Sequence, residues 1–343
     1  MKLDLDTLKK ITEGVAYIDF SNGYFGFHRF NKAGEDFYLT AKKDFYNKAF
    51  STASVFLDFY TDAEEIYLKG FAVACSSRQY FSFDIFVNGE AVGYIDNMKD
   101  GDLSLPYTTN PFPLGDFESV VSLGKGEKRV KVYVPWSVDP RLSEISLKNA
   151  TFVKQAPKKA GKMLVYGDSI THGYDAVRPS NHHITRLAEY LGLEAVNKGI
   201  GAEIFRPGLA AVAEDYEPAL VYVAYGTNDW SGQTREYFNE CCRGFVEALK
   251  NNYKTAKIVL ISPIWRGDHT SERKFGSFFD VKADMENIAK DFDGVFVIDG
   301  FDAVPHDKNF FADLRLHPTD GGFAYYYENL KDKLWKIVKN DEI

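Results

Sequence analysis

Cysteine is scarce in this chain: three residues in 343, at Cys75, Cys241 and Cys242. An odd count with two adjacent members excludes a disulfide scaffold, and a reducing cytoplasm is the expected setting. Long apolar runs are missing as well. No stretch approaches the ~18 residues of a membrane span. The start, Met1-Lys-Leu-Asp-Leu-Asp6, has no apolar run behind its lysine, so neither a membrane partner nor a secretory signal is expected. Positive charge is in deficit: 41 Lys and Arg against 49 Asp and Glu give a net charge of −8. That excludes the electrostatic footprint of a nucleic-acid binder. Internal repeats and low-complexity segments are absent too. The adjacent His182 and His183 have no carboxylate or cysteine at ligand spacing, so no metal is expected, and packing or solvent-facing roles are preferred for both.

What is present is the material of a large folded core: 45% apolar residues, 26% charged, with 28 Phe and 21 Tyr. The length suits two domains, and the chain changes rhythm midway. Residues 1–153 read as all-β. Short runs rich in aromatic and β-branched residues occupy 54–60, 65–69 and 81–87, and Val130, Val132 and Val134 recur with a period of two. Asn88-Gly89, between the run 81–87 and the run 90–95, is a type I′ hairpin signal, because both residues accept positive φ. The pattern predicts a jelly-roll-like β-sandwich. A polar, basic segment at 154–162 reads as the linker.

From 163 to 343 strand and helix signals alternate. Strands are expected at 163–166, 194–197, 219–225, 257–262 and 294–298, with helices at about 181–191, 234–253, 277–291 and 321–338. This rhythm predicts a three-layer α/β/α domain around a parallel sheet of flavodoxin-like order. Such folds place ligands at the carboxyl ends of their strands, so those ends carry the chemistry. The first delivers Gly167-Asp168-Ser169, where the serine can act as a nucleophile if a base and an oxyanion pocket reach it. The second runs through Asn197 into a glycine-containing loop, 198–203. The third ends in Gly226-Thr-Asn228-Asp229, where Asn228 is a neutral donor able to meet a developing oxyanion. After the fifth comes Asp313-Leu-Arg-Leu-His317.

Taken together, Gly-Asp-Ser-Ile at 167–170, the Asn197 loop, Gly-Thr-Asn-Asp at 226–229 and the Asp313/His317 pair resemble, in order, the motif blocks of the SGNH/GDSL hydrolase family. The resemblance covers the carboxyl-terminal half. It implies Ser169 as nucleophile, His317 as base and Asp313 as the group orienting His317. The implied oxyanion hole combines the Ser169 N–H, a loop N–H and the Asn228 side chain. No metal or cofactor is implied. Two departures stand out. The family's second block usually has glycine where this chain has Ala202, which can still offer its N–H if φ stays negative, with Gly201 as the neighbouring alternative. The family spaces its last Asp and His by three residues rather than four; on a helical turn either spacing shares a face, and failing that a backbone carbonyl would hold the imidazole. Asp168, Asp229, Trp230 and Trp265 lie near the expected pocket. Structural hydrogen bonding is preferred for Asp229, while pocket lining and core packing stay equally open for the two tryptophans.

A β-sandwich ahead of the hydrolase half is similar to the layout of family 2 carbohydrate esterases. A cytoplasmic acetylesterase acting on an acylated saccharide is therefore expected. The alternatives are a lysophospholipase or thioesterase on longer acyl chains, and a non-catalytic sugar-binding protein. A homo-oligomer is compatible with the sequence.

Overall fold

The computed structural model describes residues 1–99 and 101–339; the expected domain end at 343 falls outside them. Five parallel strands, Lys162–Gly167, Glu194–Asn197, Leu220–Ala224, Lys257–Ile261 and Val295–Ile298, form one sheet. In space the second strand is at one edge, followed by the first, third, fourth and fifth. This is the flavodoxin-like order. Each strand is a short apolar run because both faces are covered. Along the first strand Met163 and Val165 enter one core with Ile184, Leu187, Phe323 and Leu330. Leu164 and Tyr166 enter the other, with Phe238, Phe245, Leu249 and Met285. Helices His183–Leu191 and Asp320–Lys339 therefore cover one face, and Arg235–Asn252 and Asp280–Ala289 the other.

The amino-terminal part is a sandwich of two antiparallel sheets. One is built on Phe56–Thr61, Lys128–Tyr133, Ser82–Val87 and Glu90–Asp96, edged by short strands at Thr12–Glu13 and Val153–Gln155. The other orders Tyr17–Ser21, Tyr24–His28, Val138–Lys148, Glu65–Ala74 and Asp116–Ser122. Asn88 and Gly89 carry φ of 51° and 92°, the signs that a type I′ turn requires. The segment read as a linker begins inside a strand, since Lys154 and Gln155 pair with Tyr60 and Phe59.

The all-β reading of this part needs correction. Helices lie at Leu5–Ile11, Lys32–Ala41 and Lys43–Ala49. Asp4 and Asn31 cap the first two by accepting from Thr7 N and Gly34 N. Tyr38 and Phe45 pack into the same core as Phe238 and Phe245, so the second and third helices belong to a layer of the parallel-sheet half, while Leu8 and Ile11 of the first pack into the sandwich core. No helix among the described residues is long and apolar enough to cross a membrane.

Arg29 ties the two parts together. It is fully buried, and its guanidinium donates to the carbonyls of Asn197 at 2.6 Å, Gly199 at 2.9 Å, Ser51 at 2.7 Å and Lys48 at 3.0 Å. Burial lowers its pKa to about 10. Arg29→Met would leave several buried carbonyls without a donor. The expected loss is about 2–4 kcal/mol, read as a lower urea midpoint; an unchanged midpoint would show that those carbonyls have other partners.

Candidate active site

The first strand ends at Gly167, and Asp168 caps the short turn Ser169–His172 by accepting from Ile170 N at 2.9 Å. Gly167 is required by space: a Cβ there would lie 2.2 Å from the Thr171 hydroxyl and 2.8 Å from the Ala224 carbonyl. Ser169 opens the turn, so its N–H has no partner within the helix. Its hydroxyl lies 2.9 Å from His317 Nε2. On the far side of the imidazole, Nδ1 lies 2.9 Å from Asp313 Oδ2. The network sets the tautomer, with Nδ1–H donating to the carboxylate and Nε2 accepting from the serine.

Asp313 reaches His317 by a route different from the expected helical turn. Residues 312–317 form a tight loop in which Ala312 N donates to the His317 carbonyl at 2.7 Å and Leu314 adopts a left-handed φ of 58°. Asp313 Oδ1 gathers the N–H groups of Arg315, Leu316 and His317 at 3.0, 2.6 and 3.2 Å. The carboxylate folds its own loop, and the curl absorbs the extra residue of the spacing. Burial alone would raise the Asp313 pKa. The hydrogen bond and charge of His317, with the loop N–H groups, outweigh it and hold the carboxyl well below its ordinary range.

The loop after the second strand differs from expectation at two positions. Gly201 N donates to His172 Nδ1 at 3.2 Å, which removes it from the free oxyanion donors. That bond makes Nε2 the protonated nitrogen of His172, which faces the Trp136 carbonyl at 3.1 Å and the Ser51 hydroxyl at 2.6 Å. Burial, together with Arg29 and Lys48, keeps His172 neutral. Ala202 has φ of 69° rather than the negative value assumed for it. It is exposed, and its N–H meets no protein acceptor among the described residues. Asn197 holds the loop by donating to the Thr171 carbonyl at 2.7 Å and accepting from Gly199 N at 2.8 Å. Asn228 gives one amide hydrogen to the Glu203 carbonyl at 2.9 Å, which fixes the amide and leaves its second hydrogen for a ligand.

Three of the four pocket candidates lie in the interior. Trp230 is fully buried, with its indole N–H on the Gly276 carbonyl at 3.1 Å. Asp229 is buried too, accepting from Phe205 N at 3.2 Å and Gly226 N at 3.1 Å, and burial pushes its carboxyl up to about 7. Asp168 is likewise buried and raised to about 6. Trp265 is half-buried and stacks on His306 at a ring separation of 5.6 Å, packed against Phe311 at the start of the His317 loop. His182 and His183 are core residues, and His183 stacks between Phe323 and Tyr326.

Sequence reasoning missed Asp175 and Arg78. Asp175 Oδ2 is 3.5 Å from His317 Nδ1, and Arg78 holds that carboxylate in a bidentate pair. Nothing in the sequence pattern marks either residue.

The GDSL-like lipase/acylhydrolase family profile matches residues 165–325, the span that holds Ser169, Asn197, Asn228, Asp313 and His317. This span of the chain carries that family's sequence pattern. The matched pattern is that of carboxylic ester hydrolases. No protein of curated function matches it by sequence. Several solved structures share the whole two-part fold. A salicylyl-acyltransferase of a tetracycline biosynthetic pathway aligns with a TM-score of 0.76 at 20% identity, over 94% of this chain and 93% of that one. A family two carbohydrate esterase from Cellvibrio japonicus aligns with a TM-score of 0.64 at 16% identity, over 97% of each chain. An acetyl xylan esterase from the rumen bacterium Butyrivibrio proteoclasticus gives 0.57 at 14% identity, over 84% of this chain and 90% of that one. The sandwich thus belongs to the architecture that this chain shares with those structures.

Proposed function

We propose that this GDSL-type hydrolase is a serine esterase that removes short acyl groups, acetyl foremost, from an acylated saccharide. The observation that carries the reading is the hydrogen-bonded line from Ser169 Oγ through His317 to Asp313, with both contacts at 2.9 Å. In this reading His317 takes the Ser169 proton as Oγ attacks the ester carbonyl, then returns it to the leaving alcohol. Asp313 holds the imidazole and balances its charge. The Ser169 N–H and the free Asn228 amide hydrogen receive the oxyanion, and the Ala202 N–H, unpartnered among the described residues despite its left-handed φ, is the third donor in this reading. Water then releases the acyl group from Ser169.

A short acyl group, acetyl foremost, is favoured by the fold shared with an acetyl xylan esterase. A saccharide leaving group is favoured by the fold shared with carbohydrate esterases, sandwich included. Three free, buried cysteines suit a cytoplasmic enzyme.

A panel of acetylated sugars and nitrophenyl esters of rising chain length tests the reading. Acetyl release from sugars and a fall in kcat/KM beyond short chains are expected. Preference for long chains would favour a lysophospholipase or thioesterase, and sugar binding without turnover would favour a binding protein. Asn228→Ala is expected to fold normally and lose about 10²–10³ in kcat; near-normal turnover would take Asn228 out of the oxyanion site.

A further inference from the structure

The loop after the Ser169 turn is gripped by the sandwich. Trp136 donates its indole N–H to the Ala176 carbonyl at 2.7 Å, and Arg178 donates to Ser82 Oγ at 2.8 Å and Asp96 at 2.7 Å. At the centre of this grip Asp175 is fully buried, in a left-handed conformation with φ of 75°. A non-glycine residue there marks a position that its surroundings over-determine. Arg78 donates Nε to Oδ1 at 2.5 Å and Nη2 to Oδ2 at 2.9 Å. The Tyr80 hydroxyl donates to Oδ1 at 2.5 Å, and the Tyr107 hydroxyl to the Asp175 carbonyl at 2.8 Å. The approach of Oδ2 to within 3.5 Å of His317 Nδ1 gives that nitrogen two carboxylates.

We propose that Asp175, held by Arg78 and Tyr80 of the sandwich, is a second positioning carboxylate for His317, so that the sandwich completes the hydrolase site. The proposal rests on the reading of His317 as the base. Before reaction, Asp313, Asp175 and Arg78 sum to one negative charge beside a neutral imidazole. When His317 takes the serine proton the cluster becomes neutral, in a site almost shut off from water, where such balance counts most. Arg78 keeps the second carboxylate from over-stabilising the imidazolium, and Asp175 keeps the buried guanidinium from opposing it.

The groups facing the imidazole are Asp313 and Asp175 at Nδ1, Ser169 at Nε2 and the Tyr174 ring at 5.7 Å. Asp168 is near enough to interact electrostatically with both His317 and Arg266. Arg78 and Tyr107 stand behind Asp175, and the neighbouring Arg315 is paired with Asp268 at 3.2 Å.

The test is the acidic limb of kcat/KM against pH, which reports the base of the free enzyme. Asp175→Asn removes the negative charge, keeps a residue suited to left-handed φ, and leaves Arg78 facing the imidazole. Its limb is expected to move to lower pH, with kcat down about tenfold and KM little changed. Arg78→Gln leaves the carboxylate uncompensated, so its limb is expected to move to higher pH. Each displacement is expected to be about half to one pH unit, and Arg78→Lys is expected to restore most of the wild-type profile. Both limbs staying at the wild-type position, or both moving the same way, would overturn the proposal whatever the loss in rate, because a purely supporting role has no reason to give opposite signs. Should Asp175→Asn fail to fold, Arg78→Gln alone decides: a limb moved to higher pH supports the proposal, and an unmoved or lowered limb overturns it. Mass analysis of wild-type enzyme quenched during ester turnover separates the two readings. An acyl group found elsewhere than on Ser169 would overturn the catalytic assignment and this proposal with it, while an acyl group on Ser169 leaves the limbs to judge Asp175 alone.

Discussion

Ser169→Ala is expected to abolish acyl-enzyme formation and to lower kcat by about 10⁴-fold or more, with the fold unchanged. Among the described residues the hydroxyl makes a single hydrogen bond, to His317 Nε2, and Ser169 is nearly buried, so its removal disturbs little packing. What is lost is the atom that would carry the acyl group. The oxyanion donors and the substrate contacts stay, and they sustain the residual rate. Single-turnover kinetics with an activated ester measures the effect. A burst that survives in Ser169→Ala would place the nucleophile elsewhere.

His317→Ala is expected to cost about as much, for a different reason. Without the imidazole the serine proton has no acceptor, because Asp313 reaches the nucleophile only through His317. In the proposed mechanism nucleophile and base act as one unit, so their losses do not add. The double variant Ser169→Ala/His317→Ala is therefore expected to retain the same residual kcat as either single variant, within a few-fold. A double variant slower by the product of the two single losses would show that the residues work independently, and would undo the reading of a shared proton transfer. Stability should also respond at low pH. The folded-state pKa of Asp313 is depressed below its unfolded value, so its contribution is complete above that value and fades as pH falls through the folded pKa. Much of that depression comes from His317, so the His317→Ala variant has less of this contribution to lose.

The parallel-sheet half was legible because its signals are strong and local. Strands buried on both faces leave continuous apolar runs such as Leu220–Ala224, and helices such as Arg235–Asn252 leave a stripe with helical period. The sandwich was less legible. Asp116–Ser122 is mostly exposed and Tyr17–Ser21 half so, and strands of that kind carry little apolar pattern. The helices at 32–49 were hidden among aromatic residues that also suit strands. Their helical state is tied to Tyr38 and Phe45 packing beside the parallel sheet. Within the site, a Ser, an Asn and an Asp/His pair at successive strand ends could be read directly. The state of the loop donors could not, because Gly201 N is claimed by His172 from a different segment.

By itself the sequence determined the order of the parallel strands' chemistry: which side chain stands at each carboxyl end, and hence the reaction class those ends permit. That follows from periodicities spanning a few residues, which a linear chain records in full. Tertiary structure alone decided how the imidazole is held. The Asp313 loop closes through a left-handed Leu314, and Asp175 is pinned by Arg78, ninety-seven positions away in the chain. Such pairings depend on how two layers pack, and buried charges are kept only where a partner from another segment meets them.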